Sequence, residues 1–385
     1  MRIAMLLDSS FESDVRVEKE AIDLMRAGHQ VKVICMTGEG LPSKDERLGI
    51  PIKRCFPAEI RAPFRSTFLS AVHASVNAVL IEEYDALHCH DYHMLALGAR
   101  AKAKRPRPLI YDAHEYLAGW PFYRDSPRLA NRVKGWLVWH YEMVAERRNV
   151  SSADRVVTIS QGLSDAMTRR FRLPTAPVVI RNIPRAYPIG RDPAKLRLRF
   201  NIPSSRRVLL YSGALYHTDR QLLALYRIIA ELESVTLLIL GNRSRHEEAR
   251  ELARAMGYEG INVVFGDYIR DPAERQDLMS GADAALMHVR SSLEAHRFGF
   301  SNKFLEYTFA GLPIVAAHQE DCVAIGRKYG HATFYEEEDD AALRRGIVDA
   351  LASNSRLRRD LSAARDAFSW DVEVKPLIEF YDRLA

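Results

Sequence analysis

Hydrophobic residues along the chain form short runs, separated by longer stretches that have one apolar face. The first run covers residues 2–8 and ends in a polar segment, as expected for a buried strand followed by a loop. Residues 15–25 carry apolar side chains at helical spacing, and Gly28 is suited to end that helix. Another apolar run follows at 31–35. A strand, a helix and a strand in this order predict a parallel β-α-β unit.

The same alternation continues along the chain in two series. A polar segment with four prolines, residues 183–203, separates them and predicts an interdomain connection with a short helix near 195–200. Two parallel sheets in tandem predict ligand binding at the carboxyl ends of the strands, in the cleft between the domains. The further predicted strands are 85–90, 109–114, 155–160 and 178–182 in the first series, and 208–213, 236–240, 262–265, 284–287 and 313–317 in the second.

Length and composition agree with two globular domains. The chain has 385 residues, more than the roughly 250–300 that a single core usually supports. Hydrophobic residues make up 47% and charged residues 27%, and no apolar run reaches the ~18 residues of a membrane-spanning helix. The early acid Asp8 argues against a signal peptide, and four scattered cysteines without a CxxC pair suit free thiols. We therefore expect a cytoplasmic protein.

Positive charge is concentrated in the first half of the chain. Residues 1–182 carry 27 Lys and Arg against 21 Asp and Glu, a net +6, whereas the remainder carries −1. This excess fits either a scattered solvated surface or an anionic acceptor or membrane nearby. Segments 61–69, 120–124 and 132–139 mix aromatic and basic residues, so they fit either half-buried helices or peripheral contact with the inner face of a membrane. No segment has the dense basic and aromatic pattern of a nucleic-acid-binding stripe, so no nucleic-acid partner is expected.

The strongest candidate for chemistry is the segment 300–315, FSNKFLEYTFAGLPIV. A polar start opens a predicted helix, Gly311 ends it, and an apolar strand follows. The free N–H groups of a first helical turn bind anions, and Lys303 adds a full positive charge there. Glu306 follows one turn later, where its carboxylate can accept hydrogen bonds from vicinal sugar hydroxyls. An ordinary capped helix with a surface Lys and Glu is the alternative.

Two other clusters give weaker signals. Residues 88–93 hold three histidines, a cysteine and an aspartate, but alternate strand residues face opposite sides and no second cluster completes a tetrahedral site. No metal is therefore predicted, and a cleft-lining role for His90 or Asp91 is favoured. Ser160 lies in a sequence close to the Gly-x-Ser-x-Gly elbow of hydrolases, but the first glycine is missing. We interpret Ser160 as a helix N-cap.

Residues 300–315 resemble the "PNKlfEYlaaGkPvva" signature of GT-B glycosyltransferases of the family 4-like, group 1 type. Further similarities follow in the family's order along nearly the whole chain, and their order and separation are more specific than any one of them. The resemblance implies an α/β GT-B fold, in which two Rossmann-like parallel-sheet domains, 1–182 for the acceptor and 183–365 for the donor nucleotide, face a central cleft. A final helix, 366–385, would pack back on the first domain. The similar segments are Asp14–Val17 with Ala27–Val31, Leu87–Asp91, Tyr111–Glu115, Thr158–Ser160, Ile180–Pro184, Leu209–Leu215 with Arg220, and Ser369–Trp370.

The resemblance also implies a reaction. A sugar would pass from a nucleotide-diphospho-sugar, with a UDP-sugar favoured, to a hydroxyl of a glycan, lipid-linked or small-molecule acceptor, with retained configuration and without a metal or other cofactor. Lys303 and Arg220 would face the diphosphate, Glu306 would hold the ribose, and His114 would contact the transferred sugar. The other residues assigned in this way are Gly213, Ser301, Asn302 and Ile269 for the donor, and Asp14, Arg16, His90, Asp91 and Glu115 for the acceptor or the cleft.

Two positions depart from the family pattern. Phe298 lies eight residues before Glu306, where many members carry a second glutamate. Ala214 follows Gly213 in place of the usual arginine, so Arg220 would supply the missing charge. These departures leave two alternatives open, a non-catalytic nucleotide-sugar-binding subunit and a nucleotide-sugar epimerase on the same fold.

Overall fold

The chain forms two compact units, the first made of Met1–Asn182 and Asp371–Ala385 and the second of Ile183–Trp370. The structure, a computed structural model, describes residues 1–12, 14–126, 128–215, 219–241, 246–352, 357 and 361–384. The first unit therefore ends at Asn182, and the chain returns to it at Asp371 rather than at residue 366. Residues 361–366 pack instead against helices of the second unit, and Trp370 is buried.

The first unit contains an eight-stranded sheet in the order β3-β4-β2-β1-β5-β6-β7-β8, parallel except for β3, which runs antiparallel to β4. The central strands β5 and β6 are buried along their whole length, and they carry polar as well as apolar side chains. Its strands are β1 (Arg2–Leu7), β2 (Gln30–Met36), β3 (Lys44–Arg47), β4 (Ile50–Phe56), β5 (Ala86–His90), β6 (Leu109–Ala113), β7 (Arg155–Thr158) and β8 (Val178–Val179). Its helices are α1 (Val15–Arg26), α2 (Phe68–Leu80), α3 (Asp91–Lys104), α4 (Leu129–Asn149) and α5 (Gln161–Phe171).

The second unit contains a six-stranded, fully parallel sheet in the order β11-β10-β9-β12-β13-β14. Its strands are β9 (Arg207–Ser212), β10 (Val235–Leu240), β11 (Val263–Gly266), β12 (Ala284–Met287), β13 (Ile314–Ala317) and β14 (Ala332–Tyr335). Its helices are α6 (Pro193–Phe200), α7 (Asp219–Glu231), α8 (His246–Ala255), α9 (Pro272–Met279), α10 (Glu294–Phe298), α11 (Asn302–Phe309), α12 (Glu320–Tyr329), α13 (Asp340–Leu351) and α14 (Leu361–Asp366). The short α15 (Trp370–Glu373) leads to α16 (Lys375–Leu384), which belongs to the first unit.

Two local predictions are confirmed by backbone geometry. Gly311 has φ +72, a value that glycine adopts without strain, and the Leu312 N–H donates to the Tyr307 carbonyl at 3.0 Å to close the last turn of α11. Ser160 is the N-cap of α5 and accepts a hydrogen bond from the Leu163 N–H at 3.1 Å. The serine is therefore used as a cap, as its sequence context predicted.

The hairpin of β3 and β4 and the edge strand β14 were not predicted. Residues 44–47 are charged and largely exposed, and β4 alternates buried with partly or fully exposed positions. Edge strands of this kind lack the continuous apolar run of a central parallel strand. Within the described part of the chain, no helix has both the length and the apolar character needed to cross a membrane.

Candidate functional site

Lys303 lies directly against Gly213 at the carboxyl end of strand β9. A Cβ atom on Gly213 would be 2.9 Å from Cε and 3.3 Å from Nζ of this lysine, so a larger residue would displace the amine. Gly213 also has φ +111, which favours glycine. The Nζ atom lies 5.4 Å from the centroid of the Tyr211 ring, within the range of a cation–π contact. Burial lowers the pKa of Lys303, although Glu306 opposes the shift.

The first turn of α11 presents backbone donors beside this amine. Ser301 is the N-cap residue, and its side chain makes no capping hydrogen bond. The Phe304 N–H donates to the Ser301 carbonyl at 3.0 Å. The N–H groups of Asn302 and Lys303 have no hydrogen bond among the described residues, as expected for the start of a helix. An anion placed here would meet two N–H donors and one ammonium group.

Arg275 of helix α9 joins two of the predicted donor residues. Its Nη2 atom lies 3.4 Å from Oε1 of Glu306, and its Nη1 atom donates to the carbonyl of Ile269 at 3.0 Å. The same nitrogen donates to the Tyr268 hydroxyl at 2.9 Å. Burial raises the pKa of Glu306, while Arg275 and Lys303 favour its charged form. Arg275 was missed in the sequence because its partners are 6 and 31 residues away and belong to no common motif.

The structure corrects one detail of the predicted diphosphate site. The N–H of Gly213 donates to the Leu240 carbonyl at 2.9 Å and continues the sheet, so it is not available to a ligand. The carbonyl of Gly213 lies 3.0 Å from Nε2 of His246. Gly213 therefore contributes to the site by leaving room for the Lys303 side chain.

Arg220 lies in a different environment from Lys303. Its side chain is 82% exposed, and its Nη1 atom lies 3.6 Å from Oε1 of Glu338. It lines a cavity of about 260 Å³ together with the acidic residues 337–340. No described contact joins Arg220 to Lys303, so the assignment of Arg220 to the diphosphate stays a prediction.

In the first unit, His114 follows strand β6 and lies between two carboxylates. Its Nδ1 atom is 3.3 Å from Oδ2 of Asp91, and its Nε2 atom is 3.2 Å from Oδ2 of Asp112. The His114 N–H also donates to Oδ1 of Asp91 at 3.0 Å. Burial alone would lower the pKa of His114, but the two carboxylates outweigh it and raise that pKa well above its usual value. His114 is therefore held as an imidazolium cation.

Asp91 reaches His114 from an unusual backbone conformation. It is the first residue of α3 and has φ +62, a left-handed value that only a few per cent of non-glycine residues adopt. Glu115, the neighbour of His114, is exposed to solvent. Asp91, predicted for the acceptor or the cleft, is therefore in contact with His114, predicted for the transferred sugar, at the carboxyl ends of β5 and β6.

Arg16 was predicted to face the acceptor or the cleft, but the structure buries it inside the first unit. It belongs to α1, and its side chain is only 4% exposed. Its Nη2 atom lies 2.9 Å from Oδ1 of Asp112, and its Nη1 atom donates to the Ile180 carbonyl at 2.6 Å. Its Nε atom is 3.1 Å from Oε1 of Glu20. Arg16 is buried because it neutralises these two acids. Asp14 is the N-cap of α1 and accepts from the Val17 N–H at 3.1 Å.

His90 is fully buried, so it does not line a surface. Burial lowers its pKa to about 3, which makes it neutral. Together with Glu20, His88 and Asp112 it forms a cluster whose potential ligand atoms all lie within 4.8 Å of one another. The guanidinium of Arg16 already contacts both carboxylates of this cluster, so a metal ion would have to displace it.

Comparisons with known proteins agree with these two units. Residues 15–183 match the family model for glycosyltransferase family 4, and residues 206–353 match that for glycosyl transferases group 1. A sucrose-phosphate synthase from Thermosynechococcus elongatus has a similar fold, with a TM-score of 0.77 and 18% identity over 100% of this chain and 99% of that one. Anabaena HepE, solved in complex with UDP and glucose, also has a similar fold. Its TM-score is 0.72, and its sequence is 18% identical over 100% of both chains.

A curated relative covers the same span. The uncharacterised glycosyltransferase MJ1607 of Methanocaldococcus jannaschii is 22% identical over 377 residues, which cover 93% of this chain and 90% of that protein. The fold is GT-B, and the protein is a glycosyltransferase. The chain belongs to the family 4-like, group 1 glycosyltransferases, which confirms the family expected from the sequence.

Proposed function

We propose that the protein transfers a sugar from a UDP-sugar to a hydroxyl of a glycan, lipid-linked or small-molecule acceptor, with retention of configuration. The observation that carries this proposal is the contact of Lys303 with Gly213 beside the free N–H groups of α11. UDP as the nucleotide is supported by HepE, which is similar in fold and was solved with UDP.

Lys303 and the start of α11 form the diphosphate site. Burial makes the Lys303 ammonium costly, as its lowered pKa indicates, and a diphosphate would stabilise it. Two N–H groups from Asn302 and Lys303 would donate to the same oxygens. Because these charges and dipoles are fixed before the reaction, they can stabilise the leaving UDP without a metal ion. A chelator should therefore leave turnover unchanged.

Glu306 and Ile269 form the nucleoside site. Arg275 contacts Oε1 of Glu306, which leaves Oε2 to accept hydrogen bonds from the two ribose hydroxyls. Arg275 also fixes the backbone at Ile269, so that this buried residue can pack against the base. In this arrangement a single arginine holds both parts of the nucleoside site.

His114 acts on the transferred sugar as a cation. An imidazolium whose pKa is raised by Asp91 and Asp112 cannot accept the acceptor's proton, and both of its ring nitrogens already face these carboxylates, so it acts on the transferred sugar through its positive charge. The bond from the anomeric carbon to UDP breaks, the new bond to the acceptor oxygen forms on the same face, and the acceptor proton passes to the leaving diphosphate. No protein nucleophile is required by this scheme.

Ligand binding tests the donor assignment first. UDP-, GDP- and ADP-sugars are each added to the purified protein, and the melting temperature and the heat of binding are measured. We expect UDP-sugars to raise the melting temperature, since a ligand that binds only the folded state stabilises it. Lys328→Ala is a matched control for Lys303→Ala, because Lys328 also lies over an aromatic ring, that of Tyr329, at 5.2 Å. Equal binding by all three nucleotides, or none, contradicts the proposal.

Product analysis tests the reaction. NMR of the product should show the anomeric configuration of the donor, and formation of product should depend on an acceptor. An isomerised UDP-sugar formed without an acceptor would instead identify an epimerase.

We further propose that helix α4 brings the protein to an anionic membrane surface, where a lipid-linked acceptor would be found. Several apolar and aromatic side chains of this helix are exposed to solvent. Its exposed charges are all basic, because Glu142 and Glu146 are buried. Exposed apolar positions flanked by basic residues are typical of helices that lie on a membrane. The apolar positions are Leu129, Val133, Trp136, Leu137, Tyr141 and Val144, and the basic ones are Arg128, Arg132, Lys134, Arg147 and Arg148.

Sedimentation with lipid vesicles tests this contact. The protein should sediment with vesicles that contain phosphatidylglycerol and not with pure phosphatidylcholine. Leu137→Glu should abolish the binding, whereas Leu198→Glu, at an 81% exposed position of α6, should not. Equal sedimentation of both variants would contradict the assignment to α4.

A further inference from the structure

A buried row of polar side chains, each packed against the next, leads from the C-terminal helix α16 to His114. Its first member is Tyr381, whose side chain is fully buried and whose hydroxyl lies 3.0 Å from Nδ1 of His88. The two residues are 293 positions apart in the chain. Helix α16 is held nearby by the contact of Asp382 Oδ1 with His29 Nε2 at 3.3 Å.

His88 forms the second step. Its ring stacks on that of His90, with the centroids 4.4 Å apart and an angle of 12° between the planes. Its Nε2 atom points towards Oδ2 of Asp112 at 3.8 Å and Oε2 of Glu20 at 4.0 Å. The ring of His88 therefore lies between Tyr381 on one side and the buried acids on the other.

The last step reaches His114 by two routes. Oδ2 of Asp112 lies 3.2 Å from Nε2 of His114, and Nδ1 of His90 lies 3.3 Å from the same atom. Both groups that contact Nε2 of His114 are thus packed against the ring of His88. A rotation of that ring would change the position of each.

The hydroxyl of Tyr381 is the hydrogen-bonding partner of Nδ1 of His88, so it bears on the orientation and tautomer of that ring. Burial raises the pKa of Tyr381 well above its usual value, so the hydroxyl keeps its proton. When this hydroxyl donates to Nδ1, the proton of a neutral His88 must be on Nε2, where it faces the two acids. A phenylalanine in place of Tyr381 would leave Nδ1 of His88 without its hydrogen-bonding partner in the protein interior, so that only the two acids near Nε2 would bear on the tautomer.

We propose that Tyr381 is a positioning residue for His114, acting through His88 and the Asp112–His90 pair. The C-terminal helix therefore completes the arrangement around the sugar-contacting residue as well as closing the first unit. The catalytic consequence rests on the proposed function, but the positioning itself is a property of the folded protein.

Tyr381→Phe removes one oxygen atom and keeps the ring, so it tests the proposal with little change in packing. Tyr226→Phe is the matched control, because Tyr226 is also fully buried, and its hydroxyl donates to the Ala249 carbonyl at 3.2 Å in the other unit. Two quantities are measured in each variant. One is kcat and KM for transfer from the UDP-sugar, and the other is the 15N NMR signals of the histidine rings.

We expect Tyr381→Phe to lower kcat about tenfold with a KM for the donor within about twofold of the wild type. The ring signals of His88 and His114 should shift in the same variant. Tyr226→Phe should change neither quantity, even where its melting temperature falls by a similar amount.

An unchanged kcat, or unchanged His114 signals, in folded Tyr381→Phe protein would overturn the proposal. Where the wild-type protein transfers no sugar from any donor, the proposed function fails instead. The shift of the His114 signals then decides alone whether Tyr381 positions this residue.

Discussion

The charged groups of the two units are arranged in opposite ways. In the first unit Arg16, Asp112 and His114 neutralise one another in the interior, with contacts of 2.9 to 3.2 Å. In the second unit Lys303 is partly buried, and its described partners are the Tyr211 ring and the charge of Glu306. One set of charges is complete within the protein, and the other is suited to an anionic ligand.

This difference indicates what each unit contributes. A buried and mutually satisfied network fixes the geometry of His114 before any substrate binds, since buried polar groups are costly to leave unpaired. A destabilised ammonium beside free N–H groups gains its partner only when a diphosphate arrives. Substitutions in the first unit should therefore act on stability and turnover, and those in the second on donor affinity.

The largest effect should follow from removing Arg16. Arg16→Met leaves Asp112 buried without its cation, which should lower the free energy of unfolding by about 3–5 kcal/mol. Arg26→Met on the same helix is the control, because the Arg26 side chain is exposed where it pairs with Asp23, and ion pairs at the surface contribute about 0–1 kcal/mol. Urea unfolding measures both. If both variants lose the same free energy of unfolding, the buried network contributes no more to stability than an ion pair at the surface.

His114→Ala should lower turnover by about 100-fold, because a fixed positive charge near the reacting sugar is lost. Donor affinity should stay within about twofold of the wild type, since His114 belongs to the unit without the nucleotide site. Steady-state kinetics and calorimetry with the same UDP-sugar measure the two effects. Wild-type turnover in this variant would contradict the role given to His114.

Lys303→Ala should weaken donor binding by about 10- to 30-fold, as expected for a charge-assisted hydrogen bond of about 1.5–2 kcal/mol. The pKa of Lys303 is lowered, so this lysine loses its charge at a lower pH than an ordinary lysine does. The affinity of the wild-type protein for the donor should therefore begin to fall at a correspondingly lower pH. Lys303→Arg should remove that pH dependence, because arginine stays charged. A pH profile of affinity that is the same in both proteins would exclude Lys303 as the titrating group.

A further effect on stability concerns Glu20, whose pKa burial raises to about 7 from a usual 4.5. An acid with a higher pKa in the folded than in the unfolded state destabilises the fold as pH rises between those two values. Glu20→Gln mimics the protonated form, so it should change stability little at pH 5 and raise it by roughly 1–3 kcal/mol at pH 8. Thermal unfolding at the two pH values measures this. A loss of stability at pH 8 would show that the charged form is the favoured one.

The parts of the site that were predictable lie within one segment. Lys303, Glu306 and Gly311 belong to a single loop, helix and strand pattern, and local spacing was enough to assign them. The central parallel strands were predictable for a similar reason, because a strand buried on both faces is a continuous apolar run.

The buried network could not be predicted from local patterns. Arg16 and Asp112 are 96 positions apart, and Tyr381 and His88 are 293 apart, so their contacts depend on the register of the sheet and the return of α16. An arginine in an amphipathic helix is usually solvated, and only the acid on a neighbouring strand makes this one buried. Arg275 was missed for the same reason.

A structure of the protein with UDP bound tests the central claim most directly. The account predicts the diphosphate within hydrogen-bonding distance of Lys303 Nζ and of the N–H groups of Asn302 and Lys303, with the ribose hydroxyls on Glu306. UDP bound elsewhere, with this helix start unoccupied, would contradict it.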